Sequence, residues 1–596
     1  MQTIPALFLH RVTQEPHRIA AWAQAPKDDD QFFLDFIREV HDGPEGWIPA
    51  TYDHMHKMVA GLAKRLQSLG VSRGVPVAIL AETSERWALV DMAVQCLGGI
   101  TVGIYPTLTD HDVHYQLEHS RASIVLVDSD VQAARCVAIS DDLFDLQHIF
   151  SLHPSGVIPQ LTPARPELQW LADQVDQVRA EDIATYIYTS GTTGEPKAVL
   201  LNHHNFTSII RASTDRLPLE PEDRSVIFLP LAHVLQRFTQ YRSLTESAVG
   251  WFAPSMEDLQ ATIQLARPHV MASVPRMLEK IRAEILARAE AEGPTATAAL
   301  AWAIGVGRTR NAKKWAGDRV GLRIKAQHRL AEQLVFEKIR EGLGGHLRLL
   351  ICGGAPLDPE LATWFEAVGI SVREGWGLSE TTAPVTVNGL DDFRFGSVGK
   401  PLDGNEITIA DDGEVLVRGP GVFQGYLHDL DATADAFTLD GRFKTGDLGR
   451  VEDGFLHIIG RKKEIIVTAG GKNIAPAPLE SALQCAPIVT AVVIGDNRPY
   501  LGALLSLDPT AMAARAAAEG WEDDRKQWVR RPEVLTEVEA VVRRVNAERA
   551  RFETIKRWRI VSEPISVDNG LLTPTLKLKR GAIAARFAEE IESLYA

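Results

Sequence analysis

The chain has 596 residues, so at about 150 residues per domain it holds roughly four structural units, fewer if one is large, and a single small binding module is excluded. Apolar residues make up 45% and charged residues 24%, with no repeat or low-complexity tract, which excludes disorder, collagen and coiled coil. A net charge of −15 argues against a general nucleic-acid binder, so an anionic ligand has to be held by local features.

The first residues, Met-Gln-Thr-Ile-Pro-Ala-Leu, lack the basic start of a secretory leader. From Met55 to Leu69 the apolar residues Met55, Met58, Val59, Leu62, Leu66 and Leu69 keep helical spacing, and Gly70 supplies a stop. The runs Val75 to Ala81, Ile100 to Tyr105 and Ser123 to Val127 read as strands, with helices between them, which is the signature of a parallel sheet covered on both faces. The apolar stretch Trp87 to Tyr105 is broken by Asp91, Gln95 and two glycines, short of the roughly 18 to 20 clean residues that span a membrane. Further strands are expected at Thr185 to Tyr188 and Leu347 to Ile351. The segment from Glu279 to Leu343 reads as helical without strands. It holds the basic run Arg308, Arg310, Lys313, Lys314, Arg319, Arg323, Lys325 and Arg329, opposed only by Asp318, and both a solvated helix face and a contact for anionic lipid headgroups or a polyanion fit it. Gly and Asp turns between Ile407 and Leu456 predict an antiparallel module. A small α+β unit follows a boundary near Arg461 to Lys463, with strands at Thr490 to Gly495 and Leu501 to Leu507 and a charged helical stretch from Ala513 to about Phe552. The four cysteines are scattered without a CxxC pair, so neither disulfides nor zinc is expected, and a reducing cytosol is the natural compartment.

The most informative stretch is Tyr186-Ile-Tyr-Thr-Ser-Gly-Thr-Thr-Gly-Glu-Pro-Lys197. Thr189, Ser190, Thr192 and Thr193, interleaved with Gly191 and Gly194, can turn hydroxyls and backbone N–H groups onto phosphate oxygens, and Lys197 adds a point charge. Pro196 before the lysine and the strand-like Ala198-Val-Leu-Leu201 after it exclude a Walker A loop.

This stretch resembles the phosphate loop of the adenylate-forming (AMP-binding) superfamily, and further motifs match in order. Gly353-Gly354-Ala355-Pro356 is similar to the adenine-side loop, and Glu374-Gly375-Trp376-Gly377-Leu-Ser379-Glu380 to the family's Gly-Tyr-Gly-x-Thr-Glu. Thr445-Gly-Asp447 resembles the ribose motif and Gly460-Arg461-Lys-Lys463 the hinge. Gly470-Gly471-Lys-Asn-Ile-Ala-Pro476 and Leu572-Thr-Pro-Thr-Leu-Lys577-Leu-Lys-Arg580 complete the set. The resemblance implies a large α/β domain of parallel-type sheets covered by helices with a small antiparallel module, residues 1–461, hinged to a small mobile α+β domain, residues 462–596. It implies that Glu380 and Thr189 hold Mg²⁺, that Asp447 accepts the ribose hydroxyls with Arg461 on the same sugar, and that Lys577 is the catalytic lysine, with Lys579 the neighbouring register. Lys463 would be the pivot between two half-reactions, and Gly470 and Gly471 would leave room for the pantetheine arm of coenzyme A. His233 matches an acyl-site position, and a structural histidine fits equally. Trp376 in place of Tyr keeps an aromatic plate but drops a hydroxyl; Ser379 replaces Thr, and Ala198 stands where Gly is usual.

The Leu-Thr-Pro-Thr-Leu-Lys-Leu-Lys-Arg tail, the Pro268 to Pro275 segment with Arg276, and the helical insertion after Ile281 look like the long-chain fatty acyl-CoA synthetase branch. The expected substrates are a fatty acid, ATP and coenzyme A, with Mg²⁺, in a cytoplasmic enzyme that takes no nucleic acid and touches a membrane at most peripherally. Monomer and homodimer stay open. The alternatives are a ligase that delivers acyl-AMP to a carrier protein, a synthetase for another hydrophobic acid, and a non-catalytic lipid-binding scaffold. The last of these would be expected to lose Lys577, Glu380 or Asp447, and all three are present.

Overall fold

The computed structural model describes residues 2–25, 30, 43–189, 195–547, 549–567, 569–573 and 577–596. A six-stranded sheet runs in the order His148–Ser151, Ile124–Val127, Pro76–Leu80, Ile100–Ile104, Ile183–Thr189, Lys197–Asn202. All neighbours are parallel except the last pair, which is antiparallel and sets Thr189 opposite Lys197. Alternate residues serve two cores: Val77, Ile79, Ile124 and Leu126 enter one apolar cluster, Ala78, Leu80, Val125 and Val127 another. Burial on both faces is why these strands read as unbroken apolar runs. Helix Tyr52–Ser68 starts in a capping box between Thr51 and His54, and Gly70, at φ +94°, turns the chain just beyond its end. Ser84 caps Glu85–Cys96, and Thr109 caps Asp110–Ser120.

A second sheet has three parallel strands, Val270–Ser273, Leu349–Cys352 and Ser371–Trp376, extended by the antiparallel Thr386–Val387 and Lys400–Pro401. Val270 and Leu349 join the cluster under Val77 and Ile79, so one core serves both sheets, while Met271 and Leu350 pack with Leu361, Trp364 and Phe365 of helix Pro359–Val368. A four-stranded sheet, Trp47–Thr51, Ile19–Gln24, Val249–Phe252 and Arg224–Ile227, lies beside them. Between the first and second strands of the second sheet come the helices Pro275–Glu292, Pro294–Trp315 and Leu322–Ala331, the expected strandless insertion. No helix among the described residues is long and apolar enough to cross a membrane.

The expected antiparallel module is the sheet Glu406–Ile409, Glu414–Arg418, Phe443–Glu452, Phe455–Arg461. One short turn, Lys462–Glu464, follows it. The C-terminal unit has strands Ile488–Ile494, Leu501–Leu507 and Ile555–Val561. Its helical stretch is not continuous, as the sequence reading had it, but three helices: Pro509–Glu519, Arg525–Trp528 and Pro532–Ala547. Gly520, at φ +68°, closes the first, and Pro532 can open a helix but not continue one. The last helix buries Val534, Val538, Val542 and Val545 against the sheet, at about 1.5 kcal/mol or more for each side chain removed from water.

Candidate functional site

The site is built where the antiparallel module meets the end of the second sheet. Asp447 and Arg461 are cross-strand partners in the hairpin Phe443–Glu452 and Phe455–Arg461, so the ladder itself fixes them side by side. Gly446, at φ +70°, makes the bend before the aspartate, and its N–H donates to Glu414 Oε1 at 2.9 Å. Asp447 is 4% exposed. Its Oδ1 meets Arg461 Nε at 2.7 Å, and its Oδ2 accepts from Trp376 Nε1 at 2.8 Å. Burial raises the carboxyl above its ordinary value, against the pull of Arg461, the indole N–H and the Lys577 ammonium. The sequence reading set Arg461 and Asp447 on a common sugar; here they pair directly with each other.

Trp376 ends strand Ser371–Trp376 and is buried against Val385, Val398, Val415, Val417 and Leu456, so its ring is the seam between second sheet and module. The exchange of Tyr for Trp, read from sequence as a lost hydroxyl, supplies a donor instead. Gly377 is required: a Cβ there would lie 1.8 Å from the Ala383 carbonyl oxygen. Ser379–Thr381 form a short helical turn, followed by two left-handed non-glycine residues, Thr382 (φ +58°) and Ala383 (φ +69°). The Thr381 hydroxyl, accepting from Leu378 N–H, and the Thr382 hydroxyl, donating to the Gly421 carbonyl, hold this strained bend. Its product is a fixed Glu380, 9% exposed, whose Oε1 accepts from the Tyr426 hydroxyl at 3.0 Å.

Tyr426 is a residue the sequence reading missed. It packs beneath Lys197, whose Nζ stands 5.2 Å from the ring centroid and 3.0 Å from Asp429 Oδ2. An N–H from Ala432 and the Lys197 ammonium hold the Asp429 carboxyl below its usual range. Thr189 and Lys197 face each other across the ladder, and the Thr189 hydroxyl donates to the Lys197 carbonyl at 3.4 Å. Ser190, Gly191, Thr192, Thr193 and Gly194 lie outside the described residues.

Gly354, Ala355 and Pro356 are exposed on the loop after Leu349–Cys352, with Gly354 at φ +84°. Glu374 is tied to the residue that follows that loop. It is buried and accepts from Leu357 N–H at 3.2 Å, and desolvation pushes its carboxyl up to about 8. Gly375 sits between it and the indole, and a Cβ there would lie 3.1 Å from the Thr386 carbonyl oxygen.

The C-terminal unit contributes Lys577. Its N–H donates to the Thr573 hydroxyl at 3.0 Å, and Leu572 and Leu578 on either side form an antiparallel bridge. The residue keeps an exposed surface, but protein crowds its ammonium: loss of hydration, and then repulsion by Arg461, lower its pKa, while Glu380, Asp447 and Glu464 attract it. Lys579 instead forms the N-terminal cap of helix Arg580–Arg586, and Arg580 pairs bidentately with Glu480 at 2.7 and 2.8 Å. His233 stands at the start of helix Val234–Thr245. It caps that helix, its Nδ1 accepting from Leu235 N–H at 3.2 Å, and it feels the charge of Lys577; burial pushes its imidazole down to about 3, so it is neutral.

Lys463 lies in the exposed turn after the module. Its neighbour Lys462, also missed from sequence, bridges Asp412 at 2.6 Å and Glu414 at 2.9 Å, which hold its ammonium up to about 12. Gly470 and Gly471 occupy an exposed turn, where an added Cβ at Gly470 would meet only the Thr468 hydroxyl at 3.9 Å and one at Gly471 nothing within 4 Å.

A mixed donor set suits a hard cation. Tyr426 takes one oxygen of the Glu380 carboxylate; among the described residues the other oxygen has no such donor, and no group of three or more His, Cys, Asp or Glu residues forms a ready metal cage. One carboxylate with a hydroxyl fits a cation that arrives with phosphates and water, not one held by protein alone.

Residues 20–427 match the AMP-binding enzyme family, and residues 463–596 match the AMP-binding enzyme C-terminal domain. The chain is similar to the long-chain-fatty-acid–CoA ligase FadD15 of Mycobacterium bovis, 37% identical over 613 aligned positions that cover 100% of this chain and 99% of the relative. In fold it is similar to the adenylation domain of a carboxylate reductase from Mycobacterium chelonae (TM-score 0.76, 19% identity, 100% of this chain and 91% of the other). It is also similar to the anthranilate CoA ligase AuaEII in complex with anthranoyl-AMP (TM-score 0.69, 18% identity, 98% and 97%). With both domains matched and a full-length relative above one third identity, the chain belongs to the AMP-binding enzyme family.

Proposed function

We propose that the protein is a long-chain fatty acid–CoA ligase that forms AMP. In the first half-reaction a carboxylate oxygen of the fatty acid bonds to the α-phosphorus of ATP and pyrophosphate leaves; in the second the thiol sulfur of coenzyme A bonds to the acyl carbon and AMP leaves. The observation that carries this reading is the convergence of Lys577 from one domain on Asp447, Arg461 and Glu380 of the other. Full-length similarity to a long-chain-fatty-acid–CoA ligase supports the substrate class.

In this reading Asp447 accepts from the ribose hydroxyls, and Arg461 moves from its carboxylate partner to share the sugar. Lys577 brings a desolvated ammonium to the carboxylate and α-phosphate, where negative charge builds in the transition state. Gly354, Ala355 and Pro356 border the adenine, Trp376 and Gly377 shape that wall, and Glu374 and Ser379 support it from behind. Ser190, Gly191, Thr192, Thr193 and Gly194, with Lys197, cradle the phosphates. Glu380 and Thr189 would hold Mg²⁺, which when bound neutralises phosphate charge and draws electrons from the phosphorus. We place the domain boundary at 461/462 with Lys463 as pivot, Gly470 and Gly471 beside the pantetheine path, and His233 at the acyl end of the cleft. Contact with a bilayer, where the fatty acid resides, is peripheral.

Pyrophosphate release is followed with straight-chain acids from acetate to eicosanoate, with and without coenzyme A. Release that requires a long-chain acid, followed by thioester formation, is expected. Release independent of added acid contradicts adenylation, and acyl-AMP that persists in the presence of coenzyme A contradicts the thioester step.

A further inference from the structure

We infer that the tip of the helical hairpin Pro294–Trp315 and Leu322–Ala331 docks on an anionic lipid bilayer, with Leu322 and Leu330 entering the interface between lysines and arginines. The root of the hairpin is fixed in the protein. Leu300, Ala303 and Ile304 are core residues, and Gly307 lies so close to helix Pro359–Val368 that a Cβ would stand 2.6 Å from the Ala367 carbonyl oxygen. The tip is different: from Ala312 to Leu330 no residue is buried. At a 3.6-residue period Leu322, Arg323, Lys325, Ala326, Arg329 and Leu330 share one face of the second helix, and all six are exposed, Leu322 at 85% and Leu330 at 48%. Ile324, His328 and Ala331 face inward. Trp315, 42% exposed, braces the turn against Phe393 and Phe395 at ring distances of 5.8 and 5.0 Å.

Charge selects the partner. Lys313, Lys314, Arg319, Arg323, Lys325 and Arg329 take part in no ion pair among the described residues, and Asp318 is the sole acid between them, on a chain whose net charge is −15. A cluster of four to eight such cations on an amphipathic helix attracts acidic headgroups. The leucines decide between polyanions: a nucleic-acid backbone offers no apolar medium for an aliphatic side chain, whereas a headgroup–acyl boundary does. The docking follows from the hairpin itself; its use, drawing fatty acid from the bilayer, rests on the ligase reading.

The test is sedimentation of the full chain with vesicles of phosphatidylcholine, alone or mixed with phosphatidylglycerol, without substrates. Retention is expected on the mixed vesicles and lost with added salt. The combined variant Lys314→Glu, Arg319→Glu, Arg323→Glu, Lys325→Glu weakens binding by roughly 100-fold or more, from about fivefold per cation. Leu322→Ser weakens it by about tenfold without changing its salt dependence. Both variants keep full activity on detergent-dispersed fatty acid, so a failure to dock is read separately from a failure of the ligase reading. The inference is overturned if wild-type chain ignores phosphatidylglycerol, if the charge variant or Leu322→Ser binds like wild type, or if the tip prefers duplex DNA to the mixed vesicles at equal salt.

Discussion

Asp447 has a ligand on each oxygen before any nucleotide arrives, Arg461 on one and the Trp376 indole on the other. Replacing Trp376 by Phe keeps an aromatic ring and removes that one donor. A hydrogen bond to a carboxylate contributes about 1.5 to 3 kcal/mol, so KM for ATP is expected to rise by roughly tenfold or more while KM for fatty acid holds. In an Asp447→Asn background the same exchange should add little, because donor and acceptor act as one unit; additive losses would mean that the indole matters only as packing. Lys577→Ala removes the ammonium and should slow adenylation by about 100-fold or more, leaving thioester formation from supplied acyl-AMP largely intact. Lys579→Ala, at a helix cap, should slow neither half-reaction.

Whole elements carry the support for these side chains. Glu374 holds the loop at Gly354 as a neutral acid, its carboxyl raised from an ordinary 4.5 to about 8. A carboxyl whose pKa rises on folding favours the folded state while protonated: that contribution is complete below about 4.5 and is lost as pH climbs through about 8, at up to roughly 1.4 kcal/mol per pH unit. Glu374→Gln, neutral at every pH, should therefore flatten the fall in Tm between about pH 5 and about pH 8. An unchanged slope would place the alkaline sensitivity elsewhere. The elements themselves were legible where burial imposes a pattern. Val75 to Ala81 reads as a strand because both of its faces are buried, and the structure has Pro76–Leu80. The charged stretch after Ala513 was not, because its exposed face hides the breaks at Gly520 and Pro532. At the site, Asp447, Arg461 and Lys577 were legible because local motifs announce them. Tyr426 and the indole donor were not, since their partners lie 46 and 71 residues away and only the fold joins them.

At the scale of the molecule, the turn Lys462–Glu464 is tied on both sides. Lys462 reaches back to Asp412 and Glu414 of the module, and Glu464 lies 3.4 Å from Arg580 of the C-terminal unit. Lys463 stands between the two ties. The lysine bridge is nearly half exposed, so Lys462→Ala should change Tm little, yet the loss of even about 1 kcal/mol from this domain arrangement shifts its population by up to roughly fivefold. The expected signature is slower adenylation with unchanged or faster thioester formation in single-turnover assays; both rates moving together would argue against a swing about Lys463. The central claim is that two domains close one nucleotide site, and a crystal structure with a non-hydrolysable acyl-adenylate mimic tests it most directly. Asp447 should be found on the ribose hydroxyls with the Lys577 ammonium at the acyl-phosphate linkage. A mimic bound elsewhere, with Asp447 still paired to Arg461 and Lys577 pointing into solvent, would contradict it.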